Sequence, residues 1–226
     1  CITCSEVAST TAAAATGASS FLGVAFFVLQ IASIVLFALS NLLISNMFGP
    51  NQVTSYNIAY RYFSVVPMLF NLLIVPMWSA VTDAYAKGDM EWIQRSYKRI
   101  LNFLFVFGGL LFVMVIAADF VYYIWVGDDV KIPLSLSVLM AVYILIFIWS
   151  LSYSYFLNGI GKLRLQMIFT IIAAICFYPV CSYMGYLYGV VGVVAGMCII
   201  NVPGAIANFI QFNRIISGSA TGIWKY

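Results

Sequence analysis

Six apolar runs occupy nearly the whole chain, each as long as or longer than the roughly 20 residues a helix needs to cross a bilayer core about 30 Å thick. They extend over Phe21 to Phe48, Val53 to Ala84, Leu101 to Val126, Ile132 to Leu157, Leu165 to Tyr188 and Val190 to Phe212, and charged residues or Gly and Pro separate them. Strands of a membrane barrel would be about half as long and would alternate in polarity; these runs do neither. With 64% hydrophobic and 8% charged residues among 226, the chain has too little polar surface to coat a water-soluble globule. The expected fold is all-α and polytopic: a six-transmembrane-helix bundle over residues 21–214, followed by a cytoplasmic tail at 215–226.

The positions of Lys and Arg orient the bundle, because positive residues near helix ends are retained in the cytoplasm. Lys87, Arg95, Lys98 and Arg99 lie between the second and third runs, Lys162 and Arg164 between the fourth and fifth, and Arg214 and Lys225 in the tail. All eight fall on one side of the membrane. The opposite connections hold Lys131 beside Asp128 and Asp129 and no other charge, so both termini are expected in the cytoplasm. In a bacterial cell this implies the inner membrane. Trp92 and Trp125 stand where interfacial aromatics belong.

Residues 1–20, CITCSEVASTTAAAATGASS, lack both the apolar core and the basic start of a signal peptide. An unstructured or non-native N-terminal segment is expected there, and Cys1 with Cys4 makes only an isolated CxxC. Cys176, Cys181 and Cys198 read as small apolar fillers. The chain has no histidine, which removes Ser-His-Asp triads and HExxH zinc sites together. Every lysine lies in a connection or the tail, so a Ser-Lys dyad at depth is also unavailable. No enzymatic activity, metal, cofactor or nucleic-acid partner is expected. Transport across the bilayer and the holding together of a complex remain.

One feature conflicts with a purely lipid-facing role. At about 100° per residue, Asn57, Arg61, Ser64, Met68, Asn71, Ser79 and Thr82 fall in one narrow sector of the second helix. Polar side chains at membrane depth are costly, about 2.5 to 3.5 kcal/mol for a central Arg, and usually face a bundle interior or a wet cavity. Gln30, Ser33, Asn41 and Ser45 in the first helix, Ser150, Tyr153, Ser154 and Asn158 in the fourth, and Asn201, Asn208 and Gln211 in the sixth add further hydrogen-bonding groups. A water-accessible cavity accounts for all of them.

Three roles are open to Arg61: contact with a guest in that cavity, pairing with Asp119 at similar depth, and snorkelling to the headgroups. A guanidinium suits an anionic guest because its planar fork holds phosphate or carboxylate by two hydrogen bonds and stays charged. Tyr56, Tyr60 and Tyr62 can stack on sugar rings or belong to the interfacial belt. Asp83 and Asp119 are the acidic residues near membrane depth and the local candidates for ion coupling; Asp83 reads equally as a helix-end carboxylate. Pro76 and Pro203 should kink or soften their helices. Gly192 and Gly196, spaced GxxxG, permit close backbone approach. The segment Asp89 to Ile100, DMEWIQRSYKRI, reads as a short amphipathic helix, capped by Asp89, lying along the cytoplasmic interface and its lipid headgroups.

In combination, FGPNQVTSYNIAYRYF (Phe48 to Phe63), VPMWSAVTDAYAKGD (Val75 to Asp89), IWVG (Ile124 to Gly127) and YGVVGVVAG (Tyr188 to Gly196) resemble the second half of bacterial polysaccharide flippases. These are the O-antigen and exopolysaccharide transporters of the multidrug, oligosaccharidyl-lipid and polysaccharide superfamily. The resemblance implies one lobe of a twelve-helix MATE-like transporter, its partner being an N-terminal six-helix half or another copy of the chain. It implies a polyprenyl-diphosphate-linked glycan as substrate, with Arg61 as a cavity cation and Asn57, Asn41, Asn71, Ser64 and Tyr60 as polar lining. Two alternatives stand beside the flippase: a cation-coupled multidrug exporter of the same superfamily, and a non-transporting membrane scaffold.

Overall fold

The computed structural model describes residues 34–127 and 130–225, together with Phe27 and Ile31. The expectations for residues 1–20 and for Asp128 and Asp129 lie outside them. Among the described residues the chain forms five helices: α1 (Ile34–Phe48), α2 (Pro50–Ala86), α3 (Met90–Val126), α4 (Leu134–Ile160) and α5 (Arg164–Ile216), with a terminal 3-10 turn at Gly222–Lys225. Helices α2 to α5 are each long and apolar enough to span a bilayer. Such helices satisfy every backbone polar group internally, as hydrocarbon demands.

Helix α5 is two spans joined by one residue. Gly189 has φ 66° and ψ −152°, a conformation foreign to the helix on either side of it, and it divides α5 into arms 164–188 and 190–216. A side chain would strain that backbone. The arms fold back on each other through the glycines the sequence singles out. A Cβ at Gly196 would lie 3.1 Å from both Cα and Sγ of Cys181, and one at Gly192 would overlap the Met184 carbonyl. The expected close approach at the GxxxG is therefore between neighbouring antiparallel arms. Counting the arms separately, the segments with α1 number six, as the hydropathy pattern requires.

Helix α4 runs through the middle and packs on α2, α3 and α5. It has no charged residue, and Leu136, Met140, Ile144, Ile148 and Phe156 are almost wholly enclosed. Near its end, a Cβ at Gly159 would lie 2.8 Å from Val81 Cγ1 and 3.1 Å from the Trp78 carbonyl, so the α2 and α4 backbones nearly touch there. Gly161, in the left-handed region (φ 79°, ψ 23°), ends α4.

The segment Asp89 to Ile100 departs from its expected course. It is not a separate interfacial helix but the first three turns of α3, which continues unbroken for 37 residues, about 55 Å. Asp89 does cap it, its Oδ1 accepting from the Trp92 N–H at 2.9 Å. Ile93, Ser96, Tyr97 and Ile100 are buried. Tyr97 sits in an aromatic cluster with Phe212 (centroids 4.4 Å), Tyr153 (5.0 Å) and Phe156 (5.4 Å). Contacts of this kind add about 0.5–1.5 kcal/mol each beyond area burial, which favours docking on the bundle over lying in the interface. No Gly or Pro intervenes at Ile100 to break the helix. Pro76 and Pro203 lie inside α2 and α5, as do Pro67 and Pro179.

Gly192→Ala should destabilise the bundle by about 1–3 kcal/mol through overpacking against Met184. Gly108→Ala, whose Cβ would meet only Leu145 Cδ1 at 3.7 Å, should be neutral or stabilising by up to about 1 kcal/mol. Thermal unfolding in detergent separates them; equal midpoints for Gly192→Ala and the parent would overturn the packing argument.

Candidate functional site

Helix α2 carries two sectors with different fates. Tyr56, Ala59, Phe63, Val66, Phe70, Ile74 and Val81 are fully buried. The polar set from Asn57 to Thr82 is centred about 130° away around the helix. Within it Arg61, Ser79 and Thr82 are exposed, Met68 is 68% exposed, and Asn57, Ser64 and Asn71 are half-buried. The stripe thus runs along the outside of this bundle instead of into its core.

At one end the stripe meets α1. The Asn57 amide donates to Asn41 Oδ1 at 2.7 Å, and Asn41 Nδ2 donates to the Phe37 carbonyl at 3.0 Å. The Tyr60 ring lies between Phe37 (5.1 Å) and Tyr56 (6.2 Å). Ser64 spends its hydroxyl on the Arg61 carbonyl at 2.8 Å. Arg61 and Asp119 form no ion pair with each other. The α2–α3 contact is made by Tyr62 with Tyr122 and Phe70 with Phe107, which leaves both charges outside it; Asp119 lies between Ile116 and Phe120, 70% and 68% exposed. Asp83 pairs instead with Lys87 one turn on, at 2.6 Å, both well exposed. A surface pair of this kind contributes little to stability.

At the other end of the stripe a cavity of about 460 Å3 opens between α2, α4 and the two arms of α5. Asn71 and Trp78 face it from α2, and Ser150, Ser154, Tyr155 and Asn158 from α4. Gln166 and Thr170 on the first arm of α5, with Asn201 and Asn208 on the second, complete the polar wall. Leu36 of α1 also borders it, and among the described residues the lining contains no Lys, Arg, Asp or Glu. The Tyr155 hydroxyl donates to Asn71 Oδ1 at 3.4 Å, and Asn208 Nδ2 donates to Ser154 Oγ at 3.1 Å and Ser150 Oγ at 3.4 Å. The side-chain oxygens of Asn158, Gln166 and Asn208 are buried and accept no hydrogen bond from the described residues. Such orphaned acceptors are uncommon in a folded protein.

Of the residues picked from the sequence, Asn71 joins this cavity, along with the polar residues of the fourth and sixth helices apart from Tyr153 and Gln211. Tyr153 turns into the aromatic cluster and Gln211 is fully enclosed. Arg61, Asn57, Asn41, Ser64 and Tyr60 form a separate group; ten residues separate Arg61 from Asn71, about 15 Å along the helix. Gln166, Thr170, Trp78 and Tyr155 were missed. Gln166 and Thr170 are one turn apart at the start of the arm, just before the apolar run Ile171 to Phe177, and that spacing was the available signal.

Residues 22–184 match the model of the MatE family. The chain belongs to the MatE family. Among relatives of this MatE chain are a Yersinia pseudotuberculosis protein named for O-antigen export, 24% identical over 77% of the chain, and a Salmonella typhi protein named for O-antigen transport, 22% identical over 76%. The chain spans about 40% of the length of either. Solved structures with the same fold include a point mutant of a MATE protein (TM-score 0.72, 20% identity, 85% of this chain and 44% of that one). Another is a multidrug resistance MATE family transporter of the MOP superfamily in an outward-facing conformation (TM-score 0.68, 21% identity, 86% and 45%). The protein is a multi-pass membrane protein of MATE architecture.

Single cysteines at Ser64 and Ser79, in a background freed of Cys1, Cys4, Cys176, Cys181 and Cys198, should react with a membrane-impermeant thiol reagent in the complete protein. Cysteines at Phe112 and Ile116, on the exposed apolar face of α3, should not. An unreactive stripe would mean that dry partner helices, not water, cover it.

Proposed function

We propose that this chain forms one lobe of a flippase that carries a lipid-linked oligosaccharide across the bacterial cytoplasmic membrane by alternating access. The observation that carries the reading is the polar stripe of α2 on the outer surface of the bundle, with the Arg61 guanidinium in no ion pair among the described residues. A face of that composition suits an aqueous vestibule shared with a second six-helix lobe, either in the same polypeptide or in another copy of this chain. O-antigen relatives support the substrate class.

The physical division of labour follows from the substrate. A polyprenyl tail stays in lipid, while the diphosphate and glycan need a wet path. Arg61 would grip the diphosphate through its fork, since guanidinium matches phosphate geometry and is less strongly hydrated than an ammonium. Asn57, Asn41 and Ser64 line the path near it. The two lobes rock around this polar site, as repeat-built transporters do. The basic connections and tail face the cytoplasm under the positive-inside rule, with Arg214 stacked on Trp224 at 4.8 Å. Asp119, on the outward face of α3 toward its Gly127 end, and Asp83, a helix-end carboxylate held by Lys87, are the two carboxylates open to ion coupling.

Export of cationic drugs is the competing reading, because the fold is shared with a multidrug transporter. The stripe carries a cation and no carboxylate, which opposes it. Arg61→Ala in the complete transporter should cut surface glycan at least tenfold while halving protein abundance at most, a loss of more than about 1.4 kcal/mol in the transport step. Arg61→Lys should recover only part of it, lacking the bidentate fork. Glycan ladders and immunoblots of a complemented export-deficient strain measure both. Export that is unchanged, or that falls only in step with abundance, would sink the assignment.

A further inference from the structure

The cavity between α2, α4 and the arms of α5 has a chemistry of its own, different from that at Arg61. We infer that it is a subsite for one neutral sugar ring of the transported glycan, resting on the flippase reading above. Its volume, about 460 Å3, lies within the range of about 300–1,000 Å3 common to small-ligand pockets.

Hydrogen-bond directions specify what the guest must bring. The Ser154 hydroxyl donates its one proton to the Ser150 carbonyl at 3.0 Å, so its oxygen can only accept. That holds the Asn208 amide with Nδ2 toward Ser154 and turns Oδ1 away. Asn208 is 4% exposed, and its Oδ1 has no donor among the described residues. Asn158 Oδ1 and Gln166 Oε1 are in the same position. The three acceptors belong to α4 and to both arms of α5, which border the cavity, and are enclosed within its wall; leaving such groups unpaired costs about 1–3 kcal/mol each, a cost relieved when their side chains turn to a guest that donates at several points.

Charge narrows the class. Phosphate is all acceptor and finds no cation in this lining; a cationic drug or a metal ion finds no carboxylate. Hydroxyls on a ring both donate and accept, matching the amide oxygens on one hand and the Ser154 hydroxyl oxygen on the other. Trp78 and Tyr155, at right angles with centroids 6.0 Å apart, supply apolar ring faces for the C–H side of a pyranose. The guest would thus be read in two places: an anion at Arg61 and a neutral ring about 15 Å deeper along α2.

The complete transporter in nanodiscs, in the cysteine-depleted background, carries a single reporter cysteine at either Thr170 or Ser64. Labelling by a water-soluble thiol reagent is timed with methyl glycosides of hexoses and N-acetylhexosamines, with inorganic pyrophosphate, and with sodium or potassium chloride. At a glycoside concentration near twice its Kd, labelling at Thr170 should slow about threefold, with no effect of pyrophosphate or salt. Gln166→Leu and, independently, Asn208→Leu should abolish that protection and leave pyrophosphate protection at Ser64 intact. Protection of Thr170 by alkali cation alone, or no protection by any glycoside, overturns the sugar subsite. Loss of pyrophosphate protection at Ser64 while glycoside protection at Thr170 persists instead overturns the anion contact at Arg61 and leaves the subsite standing.

Discussion

In hydrocarbon a polar group without a partner has no water to fall back on, and the way this chain meets that requirement organises everything else. Several buried and half-buried hydroxyls among the described residues are satisfied within their own helix. Ser40 donates to the Leu36 carbonyl at 2.8 Å, Ser152 to Ile148 at 2.8 Å and Thr170 to Gln166 at 2.9 Å, the one-turn back-bond open to short side chains. Others are satisfied across helices, as Tyr62 with the Met114 carbonyl and Tyr122 with Ser137. Against this background the unpaired oxygens of Asn158, Gln166 and Asn208 stand apart. Their residues border one cavity, whereas the Tyr97 hydroxyl, also without a partner among the described residues, is enclosed in the aromatic cluster.

The cavity exists because the helices around it are held close elsewhere. Gly159 brings α4 onto α2 at Val81 and Trp78, and the Gly189 reversal with Gly192 and Gly196 clamps the arms of α5 together. Near the start of α3 the aromatic cluster of Tyr97, Tyr153, Phe156 and Phe212 fastens α3 and α4 to the second arm. Between these fastenings the arms of α5 diverge from α2 and α4 enough to leave space. Tight contacts between small residues replace the hydrophobic driving force that lipid cannot provide. The Arg61 group lies beyond them, on the outer surface of the bundle.

The helical class and the number of spanning segments were legible in the order of residues, and so was the break between Tyr188 and Val190; the length of α3 was not. The polar sector of α2 was equally visible, since seven positions at helical spacing leave little room for another reading. Less was visible of what the sector meets. Depth matching suggested Arg61 beside Asp119, yet aromatic packing between α2 and α3 keeps both outside their interface. Amphipathic patterning suggested an interfacial helix at Asp89 to Ile100; its apolar positions serve docking on the bundle equally well, and Tyr97 finds its partners more than fifty residues away. Gln166 and Thr170 escaped notice because two polar residues on an apolar arm gain meaning only once Asn158 and Asn208 stand opposite.

What the order of residues determined alone is therefore one-dimensional: where the chain spans, where it turns, and which side of each helix is polar. These depend on transfer from water to lipid and on backbone preference, both local properties. Which polar sides come together was decided by tertiary packing. The pairing of α2 with α4 and the fold-back of α5 rest on contacts between residues far apart in sequence, and a hydrogen bond left unmade at Asn208 can be recognised only when every neighbour that might have made it is in place.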